Sequence, residues 1–133
     1  MNSTKAQKEI IYIAGHNGLV GSALCRFIKQ NTNHEIITRS HKELDLTNQN
    51  LVREFFNQNN ITQVYLAAAK VGGIYANYSQ PTQFLLDNLK IQNNIIETAW
   101  KIGVKRLLFL GSSCIYPKFA EQPICEEALL TGS

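Results

Sequence analysis

IIYIAGHNGLVGSAL, residues 10–24, decides how the rest of the chain is read. Ile10 to Ala14 is an unbroken apolar run, the pattern of a strand covered on both faces. Gly15, Gly18 and Gly21 follow at intervals of three. Leu19, Val20, Leu24, Phe27 and Ile28 then recur at helical spacing. Strand, glycine turn and helix in that order form the first βα unit of a dinucleotide-binding fold. Glycine permits the tight turn and lets a pyrophosphate approach the backbone. The helix N-terminus offers that anion unpaired N–H groups and the positive end of its dipole. The spacing is GxxGxxG, not the commoner GxGxxG, and a turn that merely packs tightly is the competing explanation. The cofactor-binding candidates here are Gly15, His16, Asn17, Gly18, Leu19, Val20 and Gly21.

A chain of 133 residues fits one domain. At about this size close to 70% of the unfolded chain's surface can be buried. The composition, 44% hydrophobic and 17% charged, is that of an ordinary globular protein. The formal net charge of +3 is spread along the chain without a run of Lys or Arg. That balance gives no sign of nucleic-acid binding and slightly favours a polyanionic small ligand. No apolar stretch approaches the roughly 20 residues of a membrane span. The polar start, MNSTKAQKE, lacks the apolar core of a signal peptide, and residues 1–9 are expected to be disordered. Cys25, Cys114 and Cys125 match no zinc or disulfide spacing, so no metal site is expected. They read as reduced thiols in a cytoplasm.

Along residues 10–133 strands and helices alternate. The helix begun at Leu19 is expected to run to about Gln30, followed by a short strand Glu35 to Thr38. The polar link RSHKELDLTN leads to a helix over Gln49 to Asn59 that buries Leu51, Val52, Phe55 and Phe56. A third strand spans Gln63 to Ala69, and the glycine-bearing loop KVGGIYANYSQ follows. Pro81 suits the first turn of a helix, and this one carries Phe84, Leu85, Leu89, Ile95, Ile96, Ala99 and Trp100 before stopping near Gly103. Arg106 to Leu110 is a fourth strand, opening into GSSCIYPKF. The predicted fold is α/β: a Rossmann-like doubly wound parallel sheet of about four strands, incomplete, with helices on both faces and right-handed crossovers.

Ligands of such folds bind at the carboxyl ends of the strands. The second strand ends at Arg39, about 18 residues past the last fingerprint glycine. An acidic residue there would bond the ribose 2′-hydroxyl of NAD. Arg39, His41 and Lys42 would instead attract the 2′-phosphate of NADP, unless they are ordinary solvated charges. The third strand ends in Ala67, Ala68 and Ala69, small enough to let a ribose or nicotinamide lie on the backbone, though also suited to plain strand–helix packing. The fourth ends in Leu110, Gly111, Ser112, Ser113 and Cys114. Hydroxyls and a thiol at a strand end can polarise a carbonyl or move protons. They are equally consistent with a serine-rich turn beside a buried cysteine.

Three segments, AGHNGLVGSA, VYLAAAKVGGIYAN and LFLGSSCIYPK, closely resemble the GDP-L-fucose synthases of the extended short-chain dehydrogenase/reductase superfamily. The likeness runs over nearly the whole chain from Ile10 onward. It implies epimerisation of GDP-4-keto-6-deoxy-D-mannose at C3 and C5, then reduction at C4 by hydride from NADPH. It gives Ser112 a place in the Ser–Tyr–Lys set that protonates the C4 oxygen, and makes Cys114 the acid/base of epimerisation. Chemistry is compatible with that, since protons beside a ketone are acidic and a thiol near pKa 8.5 exchanges protons both ways. The resemblance also puts Gly111, Ser113 and Leu110 against the cofactor and matches Asp45 and Leu46 to adenine-pocket positions. A GDP-sugar substrate and, for a complete chain, a homodimer are further implications. Asn17 and His41 depart from the family, where Arg is common at both places.

The family's Tyr-x-x-x-Lys motif is absent. Tyr12, Tyr65, Tyr75, Tyr78 and Tyr116 are followed four residues on by His16, Ala69, Ser79, Thr82 and Ala120. The second epimerisation histidine and the sugar-nucleotide domain are missing as well. The expectation is the N-terminal part of an NADP-binding Rossmann domain without its substrate domain, inactive alone. A stand-alone dinucleotide-binding module and a non-functional truncated remnant are the alternatives.

Overall fold

The computed structural model describes residues 7–67 and 81–110. Four strands, β1 (Ile10–Ala14), β2 (Glu35–Ile37), β3 (Gln63–Leu66) and β4 (Arg106–Phe109), form one sheet in the order β2-β1-β3-β4. Every pair is parallel, with Tyr12 opposite Ile37 and Val64, and Val64 opposite Leu107. Among the described residues three helices connect them: α1 (Leu19–Asn31), α2 (Gln49–Asn59) and α3 (Pro81–Ile102). The order reverses direction between β1 and β3, and that switch point is where an open α/β sheet has its crevice.

Alternation along β1 explains its unbroken apolar sequence. Ile11 and Ile13 pack with Ile28 of α1 on one face. Tyr12 and Ala14 point the other way, into a core of Val52, Phe55 and Phe56 from α2 and Ile91, Ile95 and Ala99 from α3. Tyr12 meets the Phe55 and Phe56 rings edge-on, with centroids 4.7 and 5.9 Å away. Each such pair contributes about 0.5–1.5 kcal/mol beyond area burial.

β2 ends at Ile37, one residue before the expected Thr38, and two further strand ends fall short of expectation, at Leu66 and Phe109. The ladder carries one bond further in the latter two, from Ala67 N–H to the Ala14 carbonyl and from Leu110 N–H to the Leu66 carbonyl, both 2.9 Å. Ala68 and Ala69 lie outside the described residues. Leu51 is exposed, not buried, because the inward stripe of α2 is Val52, Phe55 and Phe56. The α1 stripe divides likewise: Ile28 is buried, Leu24 is half-buried, and Leu19, Val20 and Phe27 face outward.

The two ends of the sheet contrast. At the amino ends Glu9 is buried and satisfied within the chain, by Lys105 Nζ at 3.2 Å and Gln63 Nε2 at 3.4 Å. Hydrogen bonding to Thr62, with help from Lys105 and Gln63, holds its carboxyl below the ordinary range against the effect of burial. At the carboxyl ends the described residues form a cleft.

Candidate functional site

A cleft of about 280 Å³ opens at the carboxyl ends of β1, β2 and β3. The glycine turn, Gly15 to Gly18, forms one side; Arg39, Ser40 and His41 form another; Leu44, Leu46 and Ala67 supply the apolar wall. His16 and Asn17 belong to the turn side. Among the described residues the lining holds Arg39 and two histidines and no carboxylate, which suits an anionic ligand.

The three glycines do different work. Gly15 sits at φ 90°, backbone that favours glycine, and its carbonyl accepts from Gly18 N–H at 3.1 Å. A Cβ on Gly21 would come within 2.7 Å of the Gly15 carbonyl carbon and 3.1 Å of the His16 Cα, so α1 could not close on the turn. Gly18 is under no such pressure, because a Cβ there meets only the Gly15 carbonyl oxygen at 3.5 Å.

Gly18 is also the N-cap of α1, and it has no side chain with which to cap the first turn. The first intrahelical donor is Ser22, bonded to the Gly18 carbonyl at 2.9 Å, so the N–H groups of Leu19, Val20 and Gly21 precede the ladder. The start of α2 differs, since the Asn48 side chain accepts from Leu51 N–H at 3.1 Å. Leu19 and Val20 therefore offer backbone donors, while their side chains lie outside the cleft lining; Leu19 is 88% exposed.

Beyond β2 the link is tightly organised. Ser40 N–H donates to Glu43 Oε1 at 2.8 Å, and Glu43 N–H donates back to Ser40 Oγ at 3.3 Å, a reciprocal box around the turn that carries His41. Hydrogen bonds from Ser40 hold the Glu43 carboxyl below its usual range, with Arg39 and His16 adding weaker pulls. The Arg39 guanidinium lies 5.1 Å from the Phe55 ring centroid and donates to the Thr38 carbonyl at 2.8 Å. Leu46 is in the wall, whereas the Asp45 carboxylate accepts from Thr47 N–H and Oγ1 at 3.0 and 2.7 Å and is outside the lining.

Of the sequence-derived candidates, Gly15, His16, Asn17, Gly18, Arg39, His41, Leu46 and Ala67 come together in this cleft. Leu110 follows β4 at the same end of the sheet. Gly111, Ser112, Ser113 and Cys114 lie outside the described residues. Ser40 and Leu44 also line the cleft and were not singled out; both stand between candidates in the link, the one signal that could have found them. Cys25 is half-buried against the α1 face of the sheet, and burial pushes its thiol up, as for a packing residue. No described helix is long and apolar enough to cross a membrane.

The surroundings fit an NADP-type dinucleotide: uncapped N–H donors for a pyrophosphate, a bare glycine for close approach, and a fixed guanidinium where an NAD site has an acid.

Comparison with known proteins agrees. The chain is 56% identical over 123 residues to GDP-L-fucose synthase 1 of Arabidopsis thaliana, covering 92% of this chain and 38% of the relative. It is 50% identical over 126 residues to GDP-L-fucose synthase of Escherichia coli K12, covering 95% and 39%. The chain thus spans less than two-fifths of the length of either relative. A GDP-L-fucose synthetase from Naegleria fowleri, solved with NADP bound, superposes with a TM-score of 0.83 at 31% identity, over 98% of this chain and 39% of that one. Residues 11–133 match the model of the NAD dependent epimerase/dehydratase family, and the chain belongs to that family.

Proposed function

We propose that this chain is the NADPH-binding part of a GDP-L-fucose synthase, an oxidoreductase and isomerase acting on GDP-4-keto-6-deoxy-D-mannose. The observation that carries the reading is Arg39, held on Phe55 at the mouth of a cleft whose other side is the uncapped start of α1. Leu19, Val20 and Gly21 N–H groups would bind the pyrophosphate, and Arg39 with His41 the 2′-phosphate. Leu44 and Leu46 would lie against the adenine, and Ala67 leaves room for the chain of the cofactor. NADPH bound here supplies hydride for reduction at C4 of the sugar.

Ser112 and Cys114 follow β4, and the resemblance of LFLGSSCIYPK to the synthases supports their roles. The Ser112 hydroxyl donates a hydrogen bond to the C4 oxygen. Cys114 as thiolate takes a proton from a carbon beside the ketone, and an acid from the remainder of such an enzyme gives one back on the opposite face. The missing Tyr-x-x-x-Lys set would come from the remainder of such an enzyme. A cytoplasmic location fits the reduced thiols that the cysteine spacing suggests. A homodimer is supported by α3, where Leu86, Leu89, Ile96 and Trp100 form an exposed stripe at coiled-coil spacing, Trp100 being 77% exposed.

The test is titration of the chain with NADPH, NADH and 2′,5′-ADP. NADPH should bind more tightly than NADH, 2′,5′-ADP should compete, and Arg39→Asp should erase the difference. Equal affinities for NADPH and NADH in the unmutated chain would refute the assignment.

A further inference from the structure

We propose that Phe55, which does not line the cleft, is a specificity-determining residue for the 2′-phosphate because it positions Arg39. The proposal rests on the NADPH reading of the cleft and deepens it.

Arg39 lies two residues past the end of β2, on a link where a long side chain would ordinarily sweep through many rotamers. Ordering it on ligand binding would cost much of what the ion pair returns. Here it is ordered beforehand. Its guanidinium rests 5.1 Å from the Phe55 centroid, and a hydrogen bond to the Thr38 carbonyl secures it. The platform itself is rigid. Phe55 is buried and stands nearly perpendicular to Phe56, with centroids 5.8 Å apart, and edge-on to Tyr12 at 4.7 Å. Three elements, β1, the end of β2 and α2, thus meet at one cation–π contact.

A contact of this kind acts selectively. NADPH and NADH share adenine, riboses and pyrophosphate, and differ only in the 2′-phosphate that Arg39 would face. Loosening Arg39 therefore weakens NADPH and leaves NADH unchanged. A loss of general packing would weaken both.

The experiment compares Phe55→Leu, Phe55→Met and Phe55→Tyr with the unmutated 133-residue chain, by fluorescence titration with NADPH and NADH. Phe55→Leu and Phe55→Met keep an apolar side chain of similar bulk but lose the π face. Each should lower the ratio of NADPH to NADH affinity roughly three- to tenfold, the size expected for losing one cation–π contact. Phe55→Tyr keeps the ring and should restore the ratio. In an Arg39→Gln background Phe55→Leu should no longer change it, which closes the double-mutant cycle. Circular dichroism identifies which aliphatic variant is folded and so interpretable. An unchanged ratio, or equal losses for both cofactors, in a folded aliphatic variant overturns the proposal. Failure of the unmutated chain to prefer NADPH would overturn the underlying reading of the cleft instead.

Discussion

Asn94, in the middle of α3, donates a buried hydrogen bond of 2.9 Å to the Leu46 carbonyl, 48 residues away in sequence. Leu46 forms part of the apolar wall of the cleft, so a helix on the far side of the core braces the surface offered to the ligand. Asn94→Leu leaves that carbonyl without its donor, which costs about 1–3 kcal/mol for a buried group. The expected melting temperature is lower by roughly 4 °C per kcal/mol. NADPH and NADH affinities should fall together, because both carry adenine. Calorimetry with paired titrations checks this, and a change confined to NADPH would show that the wall is not what Asn94 supports.

Gly21 and Gly18 should respond oppositely to alanine. Gly21→Ala sets a Cβ against the Gly15 and His16 backbone, which cannot swing aside as a side chain can. The variant should lose several kcal/mol and much of its helical signal. Gly18→Ala meets only an ordinary contact and should change stability by less than about 1 kcal/mol. It should nevertheless bind dinucleotide poorly, since the added methyl occupies the side from which a pyrophosphate approaches. Thermal melts and titrations of both variants separate packing from binding.

The fold was legible because its signals were local. The apolar run of β1, the glycine turn and, Leu51 apart, the buried stripe of α2 each read correctly within one element. What those signals could not convey was which stripes find a partner. The 22-residue α3 turns Ile91, Ile95 and Ala99 inward and leaves Leu85, Leu89, Ile96 and Trp100 outside, although both sets share helical spacing. The candidate cleft was legible as the ends of β1, β2 and β3. Its bracing was not, because Arg39 on Phe55 and Asn94 on Leu46 join residues distant in the chain and appear only once the helices are packed.

Acid should loosen the link before it melts the core. Ser40 holds the Glu43 carboxyl below its usual range, so the ionised form is the one the folded link favours. That contribution is present above the ordinary glutamate value of about 4.3 and fades as pH falls through the lower folded value. Glu43→Gln should flatten the acid limb of the stability profile by lowering stability at neutral pH toward its acid value. Melting temperatures from neutral pH into the acid range, for both chains, test the sign. A steeper acid limb in Glu43→Gln would contradict it.

Ser112 and Cys114 should separate functionally in a chain completed with the remaining part of a close relative. The 133-residue chain alone, without Tyr-x-x-x-Lys, should not oxidise NADPH with the keto sugar above background. The two residues stand two apart in sequence and are assigned separate steps in the completed enzyme. Ser112→Ala removes a hydrogen-bond donor to the developing charge on the C4 oxygen, a loss of about 10²- to 10³-fold in hydride transfer. Epimerisation precedes that step and should continue, so solvent deuterium should still enter C3 and C5. Cys114→Ser replaces an acid/base near neutrality with a hydroxyl far above it. Deuterium exchange should then stop while NADPH still binds. Mass spectrometry of the recovered sugar, run beside NADPH absorbance, follows the two steps independently. If Cys114→Ser exchanges deuterium at the unmutated rate, the thiol is a packing residue and the proton must be moved by another group.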